Sequence, residues 1–469
     1  MIDRRGFLKS VAAAGLPAGA QSKSRPNFLF MIADDLTFRA VGALGSSEVQ
    51  TPNIDRVFAR GCGFTRCFHQ GSWQVAVCVP SRTMLNCGLT TFRARKQFEQ
   101  SPLWGETFGA AGYDTFIVGK WHLSRTSLSR CFKERGPISP AMFQSGPGAY
   151  NRPSFGNTWT PWDFSRKGQW LHTKEWVNAA EDEIRHSAAI WADVAVKQIE
   201  EQAGRQNPFF MYVGFNSPHD PRQAPRDYVE RYPRDRVAIP PSYWPEHPFD
   251  QGDRTVRDEL LAPFPRTREA VQLHRSEYYA HITYMDAQIG RILDALDKSP
   301  QAGNTYVILT ADHGLAVGEH GLMGKQNLYE HSVHMPYAIF GPGITAGRKV
   351  DAFVYQHSTF ATTCELAGIP VPKSVEFPSL VDLIHGSRAI KHESVFCWYR
   401  EYQRSIRTPE FRLIVYPKAG VTQLFDLRKN TWETENLADK PRYKATVEHL
   451  RQGLRTYQRE LGDDFCQEV

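Results

Sequence analysis

Short apolar runs alternate with helical patterns over the first three quarters of the chain, and this order limits the fold to a few architectures. The apolar runs are residues 26–34, 113–118, 209–215 and 306–310. Helical patterns include residues 184–202 and 278–296, and a further helix is expected to begin at Pro52, with Thr51 as a candidate cap. Alternating strands and helices are typical of parallel sheets covered by helices. We therefore predict an α/β fold with a large mixed, mostly parallel central sheet flanked by helices.

The pattern changes after about residue 372. Strand-like runs at residues 394–399, 411–416 and 421–425 are followed by a helical pattern at residues 443–461. A run of strands with one helix at the end favours a small antiparallel sheet with a terminal helix over further strand–helix–strand units. The sequence thus predicts a large domain over residues 21–372 and a smaller C-terminal subdomain over residues 373–469.

Composition excludes several classes of protein. Hydrophobic residues make up 41% and charged residues 23% of the 469 residues, and the mean hydropathy is -0.45, which excludes a disordered, collagen-like or multi-span membrane chain. The net charge of +6 is not concentrated in any run, so nucleic-acid binding is not indicated, whereas an anionic substrate fits. Outside the N-terminal stretch the chain has no apolar run of about 18 residues, so no membrane span is expected. Eight cysteines are too few for a disulfide scaffold, and none form a C-x-x-C zinc pattern.

The N-terminus has the features of an export signal. Arg4 and Arg5 precede Phe7, and a stretch of small residues ends in Ala18-Gly19-Ala20. This arrangement resembles a bacterial twin-arginine signal with an A-x-A cleavage site. It predicts that residues 1–20 are removed and that the Tat machinery exports the chain to the periplasm or another extracytoplasmic compartment. The alternative is a cytosolic amphipathic helix with two arginines by chance.

Acidic residues follow two of the predicted strands. Asp34 and Asp35 end the first apolar run, and Asp312 and His313 follow the run at residues 306–310. If both strands belong to one sheet, these side chains can meet around a divalent cation, and oxygen-rich ligand sets favour calcium or magnesium. Taken singly, an Asp at a strand end is more often a turn or cap residue.

A second set of motifs carries a cysteine and several cations. Cys78-Val79-Pro80-Ser81-Arg82 is followed by Gly88. The cations Lys120, His122 and His219 occur after predicted strands, and Lys325 follows the second acidic pair. An isolated cysteine before a proline turn would be a buried structural residue, and an isolated His or Lys would be structural or solvated. Repeated cations at strand ends instead indicate an anion-binding site.

In this order the motifs resemble the formylglycine-dependent (type I) sulfatases of the alkaline-phosphatase-like superfamily. The resemblance extends from Arg25-Pro26-Asn27 to Leu427, and C-x-P-S-R with a later glycine is its most specific element. It implies an alkaline-phosphatase-like fold, a catalytic domain over residues 21–372, and hydrolysis of a sulfate monoester. It also implies that Cys78 is oxidised to formylglycine by a formylglycine-generating enzyme, and that the hydrated aldehyde is the nucleophile.

The resemblance assigns the metal, usually one Ca²⁺, to five positions. These are Asp34, Asp35, Asp312, His313 and the formylglycine made from Cys78. His313 stands where many relatives have Asn, and Cys87 stands where the family commonly has Thr before the glycine. The first departure bears on metal ligation and the second on the efficiency of cysteine modification.

Catalytic roles follow from the same resemblance. Arg82 and Lys120 would orient the aldehyde hydrate and the sulfuryl group, and His122 would take the proton of the second hydroxyl, which releases sulfate and regenerates the aldehyde. His219 and Lys325 would contact the sulfate and protonate the leaving alcohol oxygen. Because Lys325 would lie near several cations, we expect its pKa to be depressed.

Two other functions fit the same motifs. Phosphonate monoester hydrolases and phosphodiesterases of this superfamily use a similar formylglycine site, so they are the nearest enzymatic alternative. A catalytically inactive protein that binds sulfated glycans is the other, although such a protein would not need the intact maturation motif.

The expected substrate is a sulfated carbohydrate. Residues 136–168 and 233–265 are rich in Pro, Gly and aromatic residues and are predicted to be surface loops that shape a pocket. Arginines that could bind a polyanion are Arg152, Arg166, Arg222, Arg226 and Arg234, and tryptophans that could stack on sugar rings are Trp159, Trp162, Trp170 and Trp176. Each of these could equally be a solvated or core residue. Gln326 and His331 could line the pocket or could be surface or packing residues. Cys62 and Cys67 could form a disulfide or be two buried thiols.

Overall fold

The computed structural model describes residues 25–139, 186–220, 222, 224–388 and 391–465. Over these residues the strands are β1 Asn27–Asp34, β2 Cys62–Phe68, β3 Gly71–Ser72, β4 Asp114–Lys120, β5 Glu134–Ser139, β6 Phe209–Pro218, β7 Thr305–Ala311, β8 His334–Phe340, β9 Arg348–Tyr355, β10 Val395–Tyr399, β11 Gln403–Arg407, β12 Phe411–Tyr416 and β13 Val421–Asp426. The helices are α1 Pro52–Arg60, α2 Cys78–Cys87, α3 Thr91–Gln97, α4 Trp104–Ala110, α5 Arg125–Cys131, α6 Ser187–Gln202, α7 Arg226–Val229, α8 Arg268–Lys298, α9 Glu330–Val333, α10 Thr359–Ala367, α11 Val381–Ile384 and α12 Lys444–Leu461.

The central sheet has eight strands in the order β5-β4-β6-β1-β7-β8-β2-β9. The first five strands in this order, β5, β4, β6, β1 and β7, are parallel to one another. Strand β8 runs antiparallel to both of its neighbours, and β9 is parallel to β2. This confirms the predicted mixed, mostly parallel sheet. Every residue of β1 is buried between β6 and β7, which explains why its sequence is continuously apolar rather than alternating.

Helix α1 packs on the sheet with a cap that the sequence did not indicate. The hydroxyl of Thr51 does not cap the helix. Instead, the carboxylate of Asp286, on α8, accepts hydrogen bonds from the backbone N–H groups of Asn53 and Ile54 at 3.0 and 2.7 Å. A distant carboxylate thus satisfies the first N–H groups of α1 and ties it to the longest helix.

The second sheet has the order β13-β12-β11-β10-β3. Its four C-terminal strands are antiparallel and α12 packs on them through Leu450 and Leu454, as predicted. The short β3 adds to β10 in parallel, so a segment from the N-terminal part of the chain completes this sheet. The boundary at residue 372 stays a prediction.

Cys62 and Cys67 are buried free thiols. Both lie in β2, five positions apart in an extended strand, so their Cα atoms are about 16 Å apart, far beyond the reach of a disulfide. Of the two alternatives left open by the sequence, two buried thiols is therefore correct and a disulfide is not. Within the described residues, no helix has the length and apolar character that crossing a bilayer requires.

Candidate active site

Four adjacent parallel strands bring the predicted site residues to one edge of the central sheet. Asp34 ends β1, Lys120 ends β4, His219 follows β6, and Asp312 follows β7. Because β4, β6, β1 and β7 are consecutive neighbours in the sheet, their carboxyl ends open into the same crevice. The sheet topology therefore gathers residues that are up to about 280 positions apart in the sequence.

Helix α2 adds the cysteine and the arginine to this edge. Cys78 is its first residue, and Arg82 follows one turn later on the same face. The Ser81 hydroxyl donates to the backbone carbonyl of Asp312 at 2.6 Å, and the side-chain amide of Gln356 donates to the same carbonyl at 3.1 Å. These contacts fix the start of α2 against the end of β7.

The thiol of Cys78 is buried among basic side chains. Its Sγ lies 3.0 Å from His122 Nδ1 and 4.0 Å from Lys120 Nζ. Burial, together with the charge of Lys120, lowers the pKa of His122 to about 3, so that its imidazole is neutral and can accept a proton.

Four of the five predicted metal ligands converge. Ligand atoms of Asp34, Cys78, Asp312 and His313 all lie within 4.8 Å of one another, and all four residues are buried. Asp34 Oδ1 and His313 Nε2 are buried without a hydrogen-bond partner in the described part of the chain. His313 Nδ1 donates to the carbonyl of Gly314, which leaves Nε2 directed at the carboxylates. Carboxylates and one imidazole with unused lone pairs fit a divalent cation.

The cluster is strongly charged. Arg82 Nε donates to Asp312 Oδ2 at 3.0 Å, and Lys120 Nζ donates to Asp34. Burial opposes protonation of His313, but Asp312 and Asp35 raise its pKa to about 9. Arg82, Lys120 and His313 thus offset the negative charge of the carboxylates, and a bound metal ion would offset the same charge.

Asp35 borders this cluster instead of joining it. Lys325 Nζ donates to both of its oxygens, at 2.8 and 3.0 Å, and His313 Nε2 lies 3.3 Å from Oδ1. Burial raises the pKa of Asp35 to about 7, although Lys325 and His313 oppose the rise. The carboxylate therefore links the proposed metal position to the lysine.

The expected depression of the Lys325 pKa is wrong for this chain. Burial does lower it, but the carboxylates of Asp35 and Asp258 outweigh burial and raise the pKa well above its ordinary value. Lys325 Nζ lies 2.8 Å from Asp35 Oδ1 and 3.8 Å from Asp258 Oδ2, so two carboxylates lie close to the ammonium group. The lysine is accordingly a charged group that can bind an anion.

A bridge of charges that the sequence did not indicate lies behind His219 and Lys325. Arg257 donates to the carboxylates of both Asp220 and Asp258. Asp220 follows His219, whose Nδ1 donates to the Asp220 carbonyl at 2.7 Å, and Asp258 approaches Lys325. Arg257 and Asp258 come from an irregular stretch with no preceding strand, so no sequence pattern marks them.

Other residues singled out in the sequence take different positions. Gln326 donates to Asp258 Oδ2 at 2.8 Å and so supports this bridge, whereas His331 is buried beside Tyr329 and serves packing. Arg222 is buried and donates to His274, and Arg234 is exposed. The side chain of Arg226 and the residues Arg152, Arg166, Trp159, Trp162, Trp170 and Trp176 lie outside the described residues, as does the predicted signal at residues 1–20.

Comparisons with known proteins identify the family of the chain. The sulfatase family model matches residues 26–369, and the model for the C-terminal region of N-sulphoglucosamine sulphohydrolase matches residues 318–460. A sulfatase from Formosa agariphila is 28% identical over 91% of this chain and 86% of its own length. A Δ4,5-hexuronate-2-O-sulfatase from Bacteroides thetaiotaomicron is 26% identical over 96% of this chain and 92% of its own.

The fold is shared with a solved structure of a protein in complex with its substrate D-glucosamine-2-N,6-O-disulfate. The TM-score is 0.72 at 22% identity, and the match covers 94% of this chain and 99% of the other. Because the sulfatase family model covers about three quarters of the sequence, the chain belongs to the sulfatase family and is a sulfuric ester hydrolase of alkaline-phosphatase-like fold.

Proposed function

We propose that this enzyme hydrolyses a sulfate monoester on a sulfated carbohydrate, with formylglycine made from Cys78 and one bound Ca²⁺. The observation that carries the proposal is the position of the Cys78 thiol. Its sulfur is one of the four convergent ligand atoms and also contacts His122 and Lys120. We therefore propose that metal binding, proton transfer and anion binding all involve position 78.

The proposed division of roles follows from these contacts. When present, the hydrated aldehyde and the cation supply a nucleophilic oxygen and a charge that offsets the sulfate oxygens. Lys120 and Arg82 add fixed positive charge around residue 78 in a buried environment, where electrostatic interactions are strong. His122, neutral and in contact with residue 78, accepts the proton whose removal ends the cycle.

The opposite side of the site is proposed to serve the leaving group. His219 Nε2 lies 3.9 Å from Asp35 Oδ2, and Lys325 holds the same carboxylate. Because Nδ1 of His219 donates to a backbone carbonyl, Nε2 is the nitrogen directed into the site. We assign both His219 and Lys325 to contact the sulfate. Burial lowers the pKa of His219 well below its ordinary value, so its Nε2 has no proton, and the charged ammonium group of Lys325 is the donor for the departing alcohol oxygen.

A carbohydrate is supported by the relatives. The Bacteroides thetaiotaomicron relative is named for a hexuronate sulfate, and the similar solved structure contains a sulfated glucosamine. We also propose that a formylglycine-generating enzyme matures the chain and that the Tat machinery exports it to the periplasm, on the strength of the C-x-P-S-R motif and the paired Arg4 and Arg5.

Replacement of Cys78 tests the mechanism. In protein coexpressed with a formylglycine-generating enzyme, we expect the peptide containing residue 78 to show the mass of formylglycine. Cys78→Ala should abolish release of sulfate from 4-nitrophenyl sulfate and from sulfated glycan oligosaccharides, while the protein stays folded. Cys364→Ala is the matched control, because Cys364 is a buried free cysteine on helix α10, outside the maturation motif, and should be dispensable.

The outcomes separate the alternatives. Sulfate release by the Cys78→Ala protein would contradict the formylglycine mechanism. Phosphate or phosphonate release alone, from phosphodiester and phosphonate monoester substrates, would move the enzyme to the phosphohydrolase relatives. Binding of sulfated oligosaccharides without any turnover by the converted wild type would favour the binding-protein function.

A further inference from the structure

A cavity of about 630 Å³ lies beside the proposed active site. It is formed by the segment after β4, by α5 and by β5. In the parallel pairing of β4 with β5, Ser139 is the register partner of Lys120, so the end of β5 lies next to the proposed catalytic strand end. A volume of this size can hold one or two sugar rings.

His122 connects the cavity to the site. Its imidazole contacts Cys78 and also lines the cavity. The inner wall is apolar and includes Trp121, which is fully buried and packs edge-to-face on Phe132 at 5.4 Å and on Tyr212 at 5.6 Å. This wall is part of the core and is therefore rigid, as a preformed ligand site requires.

The rim of the cavity carries two exposed arginines. Arg125, on α5, and Arg135, on β5, both line it, and none of the described lining residues is acidic. Among the described residues, neither arginine pairs with a carboxylate. Two unneutralised guanidinium groups over an apolar wall favour a ligand that combines a ring with an anionic oxygen group.

A second, larger cavity shows the contrast. It has a volume of about 780 Å³ at the edge strand β9 and is also lined by arginines, including Arg66. There, Arg66 pairs with Asp351 at 2.8 Å, and Glu393 also lines the cavity. Its lining contains none of the proposed catalytic residues. The cavity beside His122 is therefore distinguished by its contact with the proposed active site and by the absence of acidic residues from its described lining.

We propose that this cavity binds the sugar residue that adjoins the reacting sulfate, and that Arg125 and Arg135 bind a second anionic group of the substrate, a carboxylate or a sulfate. The proposal rests on the proposed function, and it adds substrate selection: the enzyme prefers sulfated sugars with a further negative charge. A charge-assisted hydrogen bond at a partly exposed site contributes about tenfold in affinity.

The test compares singly and doubly charged inhibitors of 4-nitrophenyl sulfate hydrolysis by the matured full-length enzyme. The probes are N-acetylglucosamine 6-sulfate with one anionic group, glucosamine-2-N,6-O-disulfate with a second sulfate, and a 6-sulfated disaccharide with a uronic acid carboxylate. The wild type should bind at least one of the doubly charged probes more tightly. Arg125→Ala and Arg135→Ala should each reduce that preference about tenfold, with an unchanged KM for 4-nitrophenyl sulfate.

Lys133→Ala is the matched control. Lys133 is exposed between α5 and β5 and does not line the cavity. The Lys133→Ala variant therefore removes one positive charge from the same surface without changing the cavity. An equal loss in this variant would show general electrostatic attraction and overturn the proposal, as would undiminished preference in both arginine variants. If the arginine variants lose affinity for the disulfated probe, the second anionic group is a sulfate; if they lose affinity for the uronic acid probe, it is a carboxylate.

Failure of the proposed function gives a different result. If the converted wild type does not hydrolyse 4-nitrophenyl sulfate, the sulfatase mechanism is wrong, and calorimetric titration of the same probes into wild type and variants then decides on the cavity alone. Binding that does not depend on Arg125 or Arg135 in that titration would refute the cavity proposal.

Discussion

Arg82 and a bound calcium ion should compete for the same carboxylate, and this makes the metal assignment testable by stability. Arg82 is fully buried, donates to Asp312 at 3.0 Å and donates to the backbone carbonyl of Lys120 at 2.8 Å. Asp312 is equally buried and is one of the four convergent ligands. In Arg82→Met the carboxylate loses its guanidinium partner but keeps its place beside the proposed ion.

The expected magnitude differs with and without the metal. Removing one partner of a buried ion pair typically costs about 3–5 kcal/mol of unfolding free energy, because the other charge is left unpaired. With EDTA, Arg82→Met should lose this amount. With calcium, the ion compensates Asp312 and no longer faces a nearby guanidinium, so we expect the loss to be smaller by roughly 1–2 kcal/mol.

Urea unfolding, followed by tryptophan fluorescence, measures both losses in calcium and in EDTA. Arg404→Met is the matched control, since Arg404 is also a fully buried arginine with a carboxylate partner, Asp463, and it lies on β11 of the second sheet. Its destabilisation should be the same in both buffers. An equal loss for Arg82→Met in calcium and in EDTA would refute the idea that Asp312 binds the ion.

Two further perturbations test other parts of the structure. Burial raises the pKa of Asp286 to about 6, so its folded form holds a proton that the unfolded chain releases near pH 4, and stability falls as the pH rises through this interval. Relative to Asp286→Asn, the wild type should lose roughly 2 kcal/mol of unfolding free energy between pH 4.5 and 7.5, and parallel pH profiles from urea unfolding would contradict this. Arg257→Met should lower kcat for 4-nitrophenyl sulfate roughly tenfold with little change in KM, because His219 and Lys325 lose their support. Arg254→Met, at a neighbouring exposed arginine, should leave kcat unchanged, and equal effects of the two variants would show that the bridge has no positioning role.

Four parallel strands of the central sheet, β1, β4, β6 and β7, were predictable from the sequence, whereas β11 of the second sheet was not. The first strand was predicted at residues 26–34 and is Asn27–Asp34, because a strand buried on both faces must be continuously apolar. Strand β11, Gln403–Arg407, reads as a polar loop yet is wholly buried. Its Arg404 pairs with Asp463 and its Arg407 with Glu330, so its burial depends on partners that only the fold supplies.

The same division holds at the site. Cys78, Arg82 and Lys120 were predicted because each belongs to a short motif with a fixed place at a strand or helix end. Arg257 and Asp258 have no such context, since their place beside Lys325 is set by the path of a long irregular segment. Local patterns can identify groups on regular elements, whereas support contributed by loops requires the tertiary structure.

Two residues after strand ends, Asp35 and His122, have backbone conformations that glycine would adopt more easily. Their side chains are kept because the site needs them. Asp35 and His122 follow β1 and β4 with φ values of 70° and 61°, in the left-handed region that costs a residue with a Cβ about 1–2 kcal/mol. Both turns direct a functional group into the crevice: the Asp35 carboxylate meets Lys325, and the His122 imidazole meets Cys78. The Tyr278 hydroxyl, which donates to the Asp35 carbonyl and accepts from the Thr37 N–H, holds the first turn. Glycine would relieve the strain but remove the carboxylate or the imidazole, so the cost is concentrated where the chemistry needs the side chain.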